Sequence, residues 1–149
     1  MASKTVVFEG RVAWAKVYQP DDTKWGQRWS VDVYLEGDEL AKFKATGAQL
    51  EPIKKPLFEG MEGYRFRRDK EKLIKGKIIK FGSPEVVDAD GKPMTALIGN
   101  GSVAKVAVCF YDTVQGMGHR MEGIKVLEHV PYENLSFDRD EEHTTKVEW

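Results

Sequence analysis

Over most of this chain apolar and polar residues alternate with a period of two, the spacing of a pleated strand. Trp29, Val31, Val33 and Leu35 alternate with Ser30, Asp32 and Tyr34, the cleanest half-buried strand in the sequence. Residues Val6 to Val17 predict a long strand bent at Gly10, with Phe8, Val12 and Trp14 on one parity and therefore in the core. The turn-rich run from Gln19 to Gly26 reads as a loop. Further strands are expected at Tyr64–Arg68, Lys77–Phe81, Val86–Val87, Val103–Tyr111 and Gly123–Val130. In Val103–Tyr111, Ala104, Val106, Val108 and Phe110 share one face and Lys105 and Tyr111 the other. Gly99–Ser102 is a sharp turn opening that strand, Asp88–Pro93 carries Asp-Gly turn chemistry, and a loop holds Gly116 and Gly118. Helical spacing occurs once: Leu40, Phe43 and Leu50 follow Asp38, an expected N-cap, in a helix ending near Glu51-Pro52. The sum is a mainly β domain, a small closed or partly closed barrel with one inserted helix.

Length and composition fit that reading: 149 residues, 41% hydrophobic and 32% charged, suit one soluble domain with a core. The N-terminal residues have no signal-peptide pattern, and no apolar run approaches the roughly 18 residues of a membrane helix, so a cytoplasmic location away from membranes is expected. One cysteine, Cys109, excludes an internal disulfide.

The net charge of −1 conceals an asymmetry. Residues 133–149 carry six acids against two bases, whereas residues 54–80 carry ten bases against four acids. A basic middle and an acidic end point to a polyanionic partner.

Catalytic chemistry is sparse. His119, His129 and His143 lack metal-ligand spacing, Gly99-Asn100-Gly101-Ser102 lacks the phosphate-loop pattern, and no nucleophile elbow is present. No catalytic residue, metal site or cofactor is therefore assigned. Asp88 and Asp90 form a pair that a metal-dependent nuclease could use, although a hairpin loop is the simpler reading. A protein-interaction or virion-assembly barrel is the other alternative.

Binding chemistry is richer. Tyr64-Arg65-Phe66-Arg67-Arg68 and Lys77-Ile78-Ile79-Lys80-Phe81 interleave cations with apolar and aromatic residues. Cations neutralise phosphates and aromatic faces stack on unpaired bases, which is how single strands are held without sequence preference. Strand alternation sends Arg65 and Arg67 to one side and Tyr64 and Phe66 to the other, with Phe66 assigned to the core. Arg65, Arg67, Lys77, Lys80 and Lys105 are the expected phosphate contacts. Trp25, in a polar loop, is an expected stacking residue, and so are Tyr34 and Tyr111; Lys24 and Arg28 beside Trp25 are expected single-strand contacts as well. Trp29 joins Trp14 in the predicted core. The acidic tail, with Asp138, Asp140, Glu141, Glu142, Glu148 and the terminal Trp149, can occupy the basic groove until a nucleic acid displaces it. Single-stranded RNA would satisfy the same stacking logic.

The order of these features resembles the bacteriophage single-stranded DNA-binding proteins, which have one OB-fold and an acidic C-terminal tail. Ile98-Gly99-Asn100-Gly101-Ser102-Val103-Ala104-Lys105-Val106 is similar to the family's entry into a late barrel strand. Gly123-Ile124-Lys125-Val126-Leu127 resembles its final strand, and Val87-Asp88-Ala89-Asp90-Gly91-Lys92-Pro93 its turn. Trp29–Leu35 followed by a helix is similar to its opening elements. The resemblance implies an OB-fold-like barrel of five to six strands over residues 1–132 and a flexible acidic tail over 133–149. It also implies a non-enzymatic coat on single-stranded DNA in phage replication, recombination and repair, and cooperative binding or self-association. The tail would recruit enzymes such as a phage DNA polymerase or helicase, in the host cytoplasm.

Overall fold

A computed structural model describes residues 3–24 and 26–131. Trp25 and the tail residues Asp138, Asp140, Glu141, Glu142, Glu148 and Trp149 therefore lie outside the described residues.

The strands are β1 (Ser3–Thr23), β2 (Gly26–Leu35), β3 (Glu62–Asp69), β4 (Glu71–Ile74), β5 (Lys77–Lys80), β6 (Glu85–Val87), β7 (Ser102–Thr113) and β8 (Gly116–Glu128), with one helix, α1 (Gly37–Ala45), between β2 and β3. Six strands form one sheet in the order β3-β2-β1-β7-β8-β6, and β4 and β5 form a separate hairpin. The sheet curls until β3 lies along β8. There the backbone N–H of Arg67 donates to His119 Nε2 at 3.1 Å, and Arg68 donates to the carbonyl of Met121 at 3.1 Å. Immediately beyond, β6 pairs in parallel with Gly123–Lys125 of β8. Successive stretches of β8 are thus taken first by β3 and then by β6, and between them the chain leaves the barrel wall as the β4–β5 hairpin. The result is an OB-like, mainly β barrel with one helix, as the alternation predicted.

The inward parity of each strand supplies the core. Val31, Val33 and Leu35 of β2, Phe66 of β3 and Val106 and Val108 of β7 are all buried. Four phenylalanines from four elements meet there: Phe8 stacks on Phe66 at 5.8 Å and packs edge-on against Phe43 of α1 and Phe110 of β7. Such pairs add to the burial itself. The helix also finishes β1 where β2 ends. Glu39 accepts the backbone N–H of Glu9 at 2.8 Å, and Lys42 donates to the carbonyl of Val7 at 3.0 Å.

Several expectations need correction. Trp29 is core, but Trp14 is 54% exposed. The register gains one residue between Ala13 and Lys16, so strict alternation fails and Trp14 turns out of the core while Val17 regains the inside. β1 continues to Thr23 through the expected loop; a second irregularity between Lys16 and Asp21 accommodates Pro20, which has no N–H for a ladder. The helix stops at Ala45, well before Glu51, because Thr46 and Gly47 turn the chain. Glu36 rather than Asp38 occupies its N-cap position, with no side-chain capping bond. Gly116 and Gly118 belong to β8 and not to a loop. Lys77–Lys80 is a strand, but it pairs with β4, which the alternation had not revealed, and it stands outside the barrel.

Candidate nucleic-acid interface

Because cross-strand partners share a face, the ladder between β2 and β3 fixes what the outer wall displays. Its rows are Arg28 with Asp69, Ser30 with Arg67, Asp32 with Arg65 and Tyr34 with Gly63. β1 extends them by placing Arg11 beside Tyr34, Ala13 beside Asp32 and Lys16 beside Ser30.

The arginines along this face are in different states. Arg65 grips Asp32 with two bonds, at 2.7 and 3.1 Å, yet its side chain is 63% exposed while the carboxylate is buried. The Asp32 hydrogen bond raises the Arg65 pKa. The fork is therefore fixed in orientation and open on one side, a pre-organised anion contact. Arg28 is ion-paired with Asp69. Arg67 is an exposed residue whose guanidinium donates no hydrogen bond and joins no ion pair among the described residues; partial desolvation, then the nearby Arg28, lowers its pKa. A guanidinium facing a second cation favours an incoming anion. Arg68, one residue on, is committed to the fold. It donates to the carbonyls of Gly82 (2.7 Å) and Met121 and pairs with Glu122, with only 12% of its side chain exposed.

At one mouth of the barrel this face meets β7 and the hairpin. Lys72 donates to the Tyr111 hydroxyl at 3.1 Å and lies 5.3 Å from the ring centroid. The Tyr111 ring lies on Gly118, where a Cβ would come within 2.6 Å of it, so the close approach requires a glycine. Lys70 donates to Gln27 at 3.3 Å, tying the hairpin base to the start of β2, beside the exposed Lys24. His119 sits below, its pKa depressed to about 4 by burial and then by Arg67, Arg28 and Lys72. It is therefore neutral at pH 7 and can accept the Arg67 N–H.

The hairpin turns at Lys75 and Gly76, both with positive φ (51° and 79°), the geometry of a two-residue type I′ turn. Lys72 and Ile79 share a face with Ile74 and Lys77; Glu71 and Lys80 share the other with Leu73 and Ile78. Lys77 thus lies on the side that reaches Tyr111, and Lys80 on the side carrying the apolar pair Leu73 and Ile78, 69% and 65% exposed. Phe81 anchors the base, its ring 5.6 Å from the Arg68 guanidinium and 4.9 Å from that of Arg120.

Of the expected contact residues, the structure gathers Arg28, Arg67 and Tyr111 at this mouth, with Lys24 and Lys77 at its edges and Arg65 further along the face. Tyr34 is corrected: it lies on the outer parity but is 1% exposed, its ring edge-on to Phe58 and its hydroxyl accepting the Leu57 N–H at 3.3 Å. The loop after α1 covers it, so its ring is closed to a base. Lys105 is not part of the cluster. It stands between Glu9 and Lys125 on the opposite wall. Lys70 and Lys72 were missed; the Leu73-Ile74 and Ile78-Ile79 pairs flanking Lys75-Gly76 were the signal for the hairpin that carries them. Asp88 closes a turn: its Oδ1 accepts the N–H groups of Asp90 (2.9 Å) and Lys92 (3.0 Å). Among the described residues no group of three or more His, Cys, Asp or Glu is placed to hold a metal ion, and no helix is long and apolar enough to cross a membrane.

No protein-family model matches the sequence, and no curated protein matches it in sequence. Solved structures do match the fold. One is gp2.5, a single-stranded DNA-binding protein encoded by bacteriophage T7, with TM-score 0.59 and 17% identity over 94% of this chain and 100% of that one. Another is the single-stranded DNA-binding protein of bacteriophage Enc34, with TM-score 0.56 and 12% identity over 91% of this chain and 87% of that one. A C-terminally truncated form of the Enc34 protein also matches, with TM-score 0.55 and 11% identity over 87% of this chain and 88% of that one. The chain shares the barrel of these phage proteins.

Proposed function

We propose that this protein binds single-stranded DNA without sequence preference and performs no catalysis. The observation that carries the proposal is the convergence of Arg28 of β2, Arg67 of β3, Lys72 of β4 and Tyr111 of β7 at one mouth of the barrel. Arg67 and the hairpin lysines supply phosphate contacts, Arg65 extends them along the wall, and Tyr111 offers a ring. The shared fold with two phage single-stranded DNA-binding proteins supports the same ligand. Coating of single strands during phage replication, recombination or repair follows as the biological role, in the host cytoplasm. The acidic residues 133–149 are proposed to compete for the basic face and to engage replication enzymes such as a polymerase or helicase. Self-association along the strand belongs to the same proposal.

The test is a fluorescence titration with labelled oligo-dT across a salt series, beside a duplex of equal length. The reading expects preference for the single strand and a log–log salt slope of about −0.7 per phosphate contacted. Absence of binding at low salt, or equal affinity for duplex, would sink it. The exposed Leu73 and Ile78 favour one additional reading, a protein contact made through the outer face of the hairpin.

A further inference from the structure

Among the described residues two non-glycines have a left-handed backbone: Lys75, in the hairpin turn, and Trp14, with φ of 50°. For a bulky side chain that conformation is unfavourable, and glycine would adopt it without strain. An indole that is 54% exposed gains little from burial to offset the strain. Folding alone thus gives no reason for a tryptophan here, and backbone strain of this kind concentrates at functional positions.

The surroundings point to a ligand. The bulge places Trp14 in the register gap between two rows, Ala13–Asp32–Arg65 and Lys16–Ser30–Arg67. Each row ends in an arginine. Arg65 presents a fixed and exposed fork, the Arg67 guanidinium has no hydrogen-bond or ion-pair partner among the described residues, and Lys16, bridged to Asp21 at 2.7 Å, is half exposed. The bulge is also held in place: the backbone N–H of Trp14 donates to Asn100 Oδ1 at 2.9 Å, from the turn that opens β7. That turn is itself fixed, because Gly101 donates to the carbonyl of Val12 at 2.9 Å and the Ser102 hydroxyl accepts the Val130 N–H at 2.8 Å.

We propose that Trp14 is a stacking platform for an unpaired base, with Arg65 and Arg67 holding the phosphates on either side. The inference rests on the single-strand-binding reading and adds a subsite on β1 and β3 to the one at Tyr111. Aromatic stacking tolerates any base, which suits a ligand recognised without sequence. The left-handed backbone serves to turn the ring out of the barrel at a position where regular alternation would have buried it.

The experiment compares the full chain with Trp14→Gly and Trp14→Phe, measuring oligo-dT affinity over a salt series and Tm. Glycine removes the ring and relieves the backbone. Affinity should fall about tenfold with an unchanged salt slope, since no phosphate contact is lost, while Tm holds or rises. Phenylalanine should recover most of the affinity. Wild-type affinity in Trp14→Gly would overturn the platform and leave single-strand binding intact. A loss of affinity that tracks a fall in Tm, and that phenylalanine does not rescue, would overturn it as well by marking a structural role. A wild-type chain that ignores oligo-dT would remove both proposals.

Discussion

Two neighbouring stretches of similar composition have opposite fates. Tyr64-Arg65-Phe66-Arg67-Arg68 lies in the barrel wall, and its aromatics are buried. Lys77-Ile78-Ile79-Lys80, a few residues later, forms a ribbon with every residue exposed. Both interleave cations with large apolar groups, so composition does not separate them. What separates them is a partner. β3 has β2 on one side and β8 on the other, whereas β5 has only β4. A two-stranded ribbon has no second layer against which to bury a face. The wall therefore carries stability and the ribbon is left free to carry contacts.

The largest expected effect tests that division directly. Phe66→Ala removes the ring at the centre of the four-phenylalanine cluster and should lower stability by about 3–5 kcal/mol in denaturant titrations. Ile78→Ala on the ribbon should stay within about 0.5 kcal/mol. Comparable losses at both sites would show that the ribbon is packed in solution.

The next effect concerns the seam between β3 and β8. His119 has a folded pKa of about 4 against an ordinary 6.5. The unfolded chain therefore takes up the proton first as pH falls. The contribution of neutral His119 is complete above about pH 6.5, declines through the window between the two values and is gone near pH 4. Its full size is on the order of 3 kcal/mol. His119→Gln keeps an acceptor for the Arg67 N–H and has no proton to gain, so its stability should fall less between pH 7 and 4. Parallel stability curves for the wild type and His119→Gln would place the pH dependence elsewhere.

The smallest effects separate cations of the wall from cations of the ribbon. Arg68→Ala strips hydrogen bonds from the carbonyls of Gly82 and Met121 and should cost about 1–3 kcal/mol of stability. Lys77→Ala should leave Tm unchanged and reduce the salt slope for oligo-dT by about 0.7. A slope change in the first variant without loss of stability would reverse the assignment.

Much of the wall could be read from residue alternation, because Val31, Val33 and Phe66 are buried by the periodicity that predicts them. The outward arginines 65 and 67 followed from the same parity. The failures came from events that parity does not encode. Trp14 lost its expected place to one inserted residue and a left-handed backbone. Tyr34 kept the expected parity, but Leu57 and Phe58, more than twenty positions away in the chain, closed over it. Arg68 was indistinguishable from Arg67 by composition, and only closure onto β8 divided a fold-making cation from an available one.

The interruption between β3 and β6 has an engineering consequence. The barrel meets the inserted ribbon at a narrow socket: the Phe81 N–H donates to the carbonyl of Lys70 at 2.8 Å, and Phe81 is clasped by Arg68 and Arg120. Distal to that clasp both strands of the ribbon are exposed, and Lys72 reaches back to the wall at Tyr111. A ribbon of different length or charge, provided its ends meet at the same spacing, can be exchanged there as a cartridge. The surface that the ribbon presents can then diverge while the wall that supports it stays unchanged.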